Sequence, residues 1–172
     1  MKNKSFFLVL FLPAVLAGSA VRGQTMQPGV IRAEIRVEGE VAHPLTLNSA
    51  DLAKMKRIVV SGEDRDGKVH SYSGVAVAEI LQQAGAPMGA QLRGDNMTKY
   101  LLVRSADGYE ILFSLAELDS TFTDRTVLLA DSMDGQPLPA DIGPFRIIIP
   151  AEKKHARWTW KATTFIIGSA KE

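Results

Sequence analysis

The stretch Tyr72-Ser-Gly-Val-Ala-Val-Ala-Glu-Ile-Leu-Gln-Gln-Ala-Gly85 decides how the chain is read. Within it Val77, Ile80, Leu81 and Ala84 fall at i, i+3, i+4 and i+7, one apolar stripe with the period of an α-helix. Ser73 is a candidate cap for the start of that helix. Gly85 and Pro87 end it, because glycine accepts the left-handed cap conformation and proline cannot continue the helix. No other segment carries so clear a helical period.

On both sides the pattern is that of strands. Ile31, Ala33, Ile35 and Val37 alternate with Arg32, Glu34, Arg36 and Glu38, as in a half-buried strand. Gly39 and His43-Pro44 break it, and Asn48-Ser-Ala-Asp-Leu52 predicts a capped helical turn. Arg57–Val60 and Lys68–Tyr72 are short runs joined through Glu63-Asp-Arg-Asp-Gly67, where Asp66-Gly67 signals a hairpin. Tyr100–Arg104 and Tyr109–Phe113 flank a second such pair, Asp107-Gly108. Ser114–Leu118 predicts a helical turn, Thr126–Ala130 a strand, and Asp134-Gly135 a turn before the Gln136–Pro144 loop. Phe145–Ile149 and Thr163–Ile167 read as buried final strands. The expected fold class is α+β: a mostly-β mixed or antiparallel sheet with few short helices.

Composition narrows the chemistry. The 172 residues contain 20 Lys+Arg against 19 Asp+Glu, so a broad basic face for nucleic acid is not expected. There is no cysteine, which excludes disulfides, thiolate zinc sites, iron–sulfur clusters and a cysteine nucleophile. The N-terminus reads Met1-Lys-Asn-Lys4, an apolar run from Ser5 to Ala17, then Gly18, Ser19 and Ala20. That is the pattern of a secretory signal. The apolar run is short of the roughly 20 residues a bilayer span needs. The expected organisation is a signal peptide over 1–23, a disordered lead-in and first strand over 24–36, one domain over 37–168, and a tail over 169–172. The expected location is periplasmic or secreted, with no stable membrane span after signal cleavage. Without Lys2, Lys4 and Arg22 the chain carries 17 basic groups against 19 acidic ones.

Few residues suggest chemistry directly. His43, His70 and His155 are far apart and lack a metal-ligand spacing. There is no Gly-x-Ser-x-Gly elbow and no glycine-rich phosphate loop. Arg146, Lys153, Lys154, Arg157 and Lys161 lie close in sequence, with Trp158 and Trp160 among them. Guanidinium and ammonium groups beside aromatic faces suit a planar anionic ligand. The same residues also read as a solvated turn followed by two tryptophans on one face of a strand. The acidic segment Glu63–Asp66 reads as a solvated hairpin tip.

Five segments, in order, resemble one family. Tyr72–Gly85 is similar to its aromatic-x-Gly-Val helix entry, and Ala106-Asp-Gly-Tyr109 to its Asp-Gly-Tyr hairpin. Val127-Leu-Leu-Ala-Asp-Ser-Met-Asp-Gly-Gln-Pro-Leu138, Gly143-Pro-Phe-Arg-Ile-Ile-Ile-Pro150 and Lys161-Ala-Thr-Thr-Phe-Ile166 follow. Together they resemble the molybdopterin-binding domain of sulfite-oxidase-type oxidoreductases. The resemblance implies a mixed α+β domain around a pterin cofactor whose molybdenum is bound by one cysteine. That cysteine would fall near Val60-Ser61-Gly62, where this chain offers only Ser61. A serine alkoxide holds its proton far more tightly than a thiol and is a hard donor. Asp141-Ile142 stands where the family often has a histidine. Arg146 and Lys161 match positions that reach the pterin or its phosphate.

Three functions follow from the resemblance. The first is an exported, non-redox or accessory ligand-binding version of the domain, with molybdopterin in doubt, no metal expected and Arg146, Lys153, Lys154, Arg157 and Lys161 as an anion-binding groove. The second is an active molybdopterin-dependent oxidoreductase with Ser61, or no protein atom, on the metal. The third is an envelope interaction module using Trp158 and Trp160. The expected partner is an anionic small molecule or another exported protein. Whether the chain is an enzyme is left open by the sequence, since function resides in the site and not the scaffold.

Overall fold

Residues 33–170 are those the computed structural model describes. The predicted signal peptide, the part of the lead-in before residue 33 and the last two residues of the tail lie outside them. In chain order the elements are β1 (Glu34–Gly39), β2 (Leu45–Asn48), α1 (Ser49–Leu52), β3 (Arg57–Glu63), β4 (Val69–Ala76) and α2 (Val77–Gln83). Then come β5 (Lys99–Ser105), β6 (Glu110–Ser114), β7 (Leu128–Met133), β8 (Gln136–Pro137), β9 (Arg146–Ile148) and β10 (Ala162–Ser169). They form two sheets, not one. The first runs β2-β1-β10-β5-β6, with β1 and β10 parallel and the other neighbours antiparallel. The second runs β3-β4-β7-β8, with β9 also paired to β7. The class is α+β, mostly strand, with few short helices.

Local sequence explains the helical pieces. Asn48 caps α1: its side chain accepts from the Ala50 and Asp51 backbone N–H groups, while Asp51 accepts from the Asn48 N–H. Ser114 and Glu117 make the same reciprocal arrangement around the 3₁₀ turn Leu115–Glu117. The apolar stripe of α2 is buried as expected at Val77, Ile80 and Leu81. Its predicted cap is not used. Ser73 lies within β4, and Ala76 stands at the N-cap without a side-chain bond, because the strand continues further than the apolar pattern indicates.

One apolar cluster draws on both sheets and on α2, with Ile35, Val37, Leu101, Val103, Phe113 and Phe165 from the first sheet. Tyr72, Val75, Leu128, Leu129 and Ile147 enter it from the second. Trp158 and Trp160 do not sit on a strand. The 3₁₀ turn His155–Arg157 precedes them and β10 begins only at Ala162, so the tryptophans separate: Trp158 is buried and Trp160 is 39% exposed. Among the described residues no helix is long and apolar enough to cross a membrane.

Candidate functional site

The hairpin between β3 and β4 is tighter than its sequence suggests. β3 runs on through Glu63, so Asp64 becomes the first residue of the turn. Its N–H donates to the Lys68 carbonyl at 2.8 Å, and its own carbonyl accepts from Gly67 N–H at 2.9 Å. Gly67 sits at φ +75°, a conformation that disfavours a side chain. This geometry turns the Asp64 carboxylate inward.

There it meets Arg146, which is only 1% exposed on β9. Arg146 Nη1 donates to Asp64 Oδ2 at 2.6 Å and Nη2 donates to Oδ1 at 2.9 Å, a two-pronged ion pair. The Tyr72 hydroxyl donates to the same Oδ2 at 2.7 Å. The guanidinium carbon lies 5.6, 5.5 and 5.8 Å from the ring centres of Tyr72, Trp158 and Trp160. The Arg146 guanidinium holds the Asp64 carboxyl well below the usual carboxylate range, assisted by the Tyr72 hydroxyl. Burial, and then the bond to that carboxylate, push the Tyr72 phenol well above its ordinary value. The acidic segment read as a solvated tip therefore supplies an interior counter-ion at Asp64.

The backbone makes room for this clamp at Gly62. A Cβ there would fall 2.6 Å from the Trp158 ring, so only glycine lets the indole lie against β3. Trp158 is fixed from its other end, its Nε1–H donating to the Ile149 carbonyl at 3.1 Å.

The remaining predicted residues do not join Arg146. Ser61 pairs with Ser71 across β3 and β4, while Tyr72 pairs with Val60. Alternation along the strand therefore puts the exposed Ser61 on the face opposite Tyr72 and its clamp. Arg157 is held by Glu152 and Glu117, donates to the Leu112 carbonyl, and lies 4.4 Å over the Phe113 ring. Lys153 and Lys154 are exposed on the loop after β9. Lys161 adopts a left-handed backbone (φ +50°), donating to the Ile142 carbonyl and accepting from Ala106 N–H. Of the five cations, Arg146 and Arg157 are neutralised by the chain's own carboxylates.

Beside Trp160 there is a pocket of about 310 Å³ that contains none of the six predicted residues. It is lined by Arg65, Ser105, Asp107, Tyr109, Ala156, Trp158, Thr159 and Trp160. Arg65 lies 5.0 Å over the Trp160 ring. Thr159 is 3% exposed and its hydroxyl has no hydrogen-bond partner among the described residues. A buried unsatisfied polar group costs about 1–3 kcal/mol. Arg146 Nε is the second such atom among the described residues. Asp107 Oδ1 accepts from the Ser105 hydroxyl and the Tyr109 N–H, which together with the charge of Lys161 hold it below the usual carboxylate range. Sequence reading missed Asp64, Tyr72, Arg65 and Thr159. Their signals were the charge pair Asp64-Arg65 at the edge of an apolar run and the aromatic position of Tyr72 before Gly74.

Comparison with known proteins now gives the class. Residues 63–162 match the family described as oxidoreductase molybdopterin binding domain. That span is more than half of the chain, which therefore belongs to this family. Among solved structures the chain is similar to the sulfane dehydrogenase SoxCD from Paracoccus pantotrophus, with a TM-score of 0.62 and 18% identity. The likeness covers 81% of this chain and 39% of that one, and at this identity it establishes the fold alone. No curated protein matches the sequence.

Membership suggests molybdopterin binding, and the residues present do not fit its metal. The chain has no thiol to donate, and Ser61 faces away from Arg146. The guanidinium matched to a cofactor contact is already paired with Asp64.

Proposed function

We propose that the chain is an exported, non-redox member of the molybdopterin-binding-domain family that binds a small molecule and carries no molybdenum centre. The carrying observation is the Asp64–Arg146 clamp. The arginine that the family resemblance assigns to the cofactor is buried, and its charge is paired with the protein's own carboxylate through both Nη atoms. An anionic cofactor group would have to displace Asp64, leaving that carboxylate half-buried without its cation, which is costly. The absent cysteine supports the same reading, since a thiolate is the donor the family resemblance implies for the metal. The lysine-led N-terminus without an arginine pair supports export of an unfolded chain and not of a preloaded one.

Elemental analysis of protein purified from its native host tests this reading. The expected result is no stoichiometric molybdenum and no cofactor absorbance. Molybdenum approaching one atom per chain overturns it.

A further inference from the structure

We infer that the pocket between Trp160 and Tyr109 is a binding site for a small aromatic monocarboxylate, with Arg65 receiving the carboxylate. This rests on the reading above that the chain binds a small molecule, and it names the chemical class.

The walls are aromatic and held in place before any ligand arrives. Tyr109 is anchored by its hydroxyl, which donates to the Ala156 carbonyl at 2.9 Å. Trp158 is tied to Ile149 and wedged over Gly62. Rigid aromatic walls lower the ordering cost of binding a flat ring. A pocket of about 310 Å³ accepts one substituted ring, at the small end of ligand sites.

Arg65 supplies the charge. Arg57, Arg104, Arg125, Arg146 and Arg157 each pair with a carboxylate of this chain, whereas Arg65, like Arg36 and Arg93 but alone in lining this pocket, forms no ion pair among the described residues. Its guanidinium is instead laid over Trp160, a planar fork whose donors remain free for a carboxylate. Thr159 also lines the pocket, with its own hydroxyl buried and without a partner among the described residues. Asp107 sets the limit on ligand charge. Its carboxylate is ionised and lines the same pocket, so a second negative charge on the ligand would be repelled. One ring and one negative charge match the aromatic walls and Arg65 while respecting the limit set by Asp107.

Isothermal titration of the purified protein with benzoate tests the inference. The expected result is one site per chain with a dissociation constant of roughly 0.1–5 mM, the range open to so small a ligand. Benzamide keeps the shape and loses the charge, and it should bind about tenfold more weakly or worse. Phthalate, with a second charge, and cyclohexanecarboxylate, with no flat ring, should also bind more weakly. Arg65→Ala should weaken benzoate about tenfold. Trp160→Ala should abolish binding, and Trp160→Phe, which keeps a ring should the alanine variant misfold, should retain most of it. Lys153→Ala and Lys154→Ala should change nothing.

The inference is overturned by no benzoate binding, by benzamide binding equally well, or by an Arg65→Ala variant of unchanged affinity. Molybdenum analysis on the same preparation separates the two claims. Metal-free protein that ignores benzoate sinks this inference alone, whereas stoichiometric metal sinks the non-redox reading whatever benzoate does.

Discussion

Asp64 and Arg65 are neighbours in one hairpin turn, and they meet opposite circumstances. Asp64 turns inward and is bound at both oxygens by Arg146, with Tyr72 adding a third bond. Arg65 turns outward onto Trp160 and finds no carboxylate among the described residues. Trp158 belongs to both, lying near the Arg146 guanidinium and lining the pocket. The clamp is a charge pair that the protein has completed for itself. The pocket is a charge left for something else to complete. A cationic cluster read from sequence does not distinguish these cases, because what matters is whether a carboxylate of the same chain arrives first.

Breaking the clamp should have the largest effect. Asp64→Ala leaves the Arg146 guanidinium buried and unpaired, and the expected loss is about 3–5 kcal/mol by urea denaturation. Adding Arg146→Met should recover most of it, since removing both charges leaves no uncompensated ion. A loss below about 1 kcal/mol in the single variant would mean that water already reaches Arg146. The pair also has a pH signature. Its stabilisation is present above the ordinary aspartate value of 3.8 and is lost as pH falls below it through the depressed folded value. The double variant should lose this acid-range slope.

Gly62→Ala comes next, at about 1–3 kcal/mol, because the new methyl drives into the Trp158 ring and the packed interior resists it. Trp158 serves both regions, so the same substitution should also weaken benzoate. If stability falls while the affinity stays unchanged, the two regions do not share that wall.

Much of the fold was legible because it is written locally. The helical stripe of α2, the Asn48 cap and the Asp-Gly turns each need only a few consecutive residues. The two-sheet division was not, since it depends on which strands pair across the chain. The clamp was hidden for the same reason: its partners are 82 residues apart, and nothing near Asp64 announces Arg146. Arg157 misled in the opposite direction. Its stretch contains Lys153 and Lys154, yet the groups that hold its guanidinium are Glu152 and Glu117. Ser61 lies on β3 with its side chain on the face away from Tyr72, a distinction that turns on a single residue of register.

A smaller effect belongs to His70, which ties the two ends of this neighbourhood together. Its Nδ1 meets Asp134 at 2.6 Å and its Nε2 meets Asp66 at 3.2 Å. The bond to Asp134, followed by that to Asp66, raises the imidazole above its ordinary value of 6.5. The group contributes fully below that value, and its contribution is lost as pH rises through the higher folded one. His70→Gln should cost under about 1 kcal/mol at pH 6 and less at pH 9, measured by denaturation at both. A larger cost at pH 9 would contradict the charged bridge.

The smallest change is expected at Arg65, and it sharpens the contrast most. Its guanidinium is exposed and touches only one face of an indole, a contact worth about 0.5–1 kcal/mol at such a site. Arg65→Ala should therefore unfold in urea within about 1 kcal/mol of the parent protein, several-fold less than Asp64→Ala one position away. If the two variants prove equally unstable, Arg65 is a structural residue like Arg157, and the pocket has no free charge to offer. If Arg65→Ala is stable and loses benzoate, adjacent residues divide the hairpin between holding the fold and meeting a ligand.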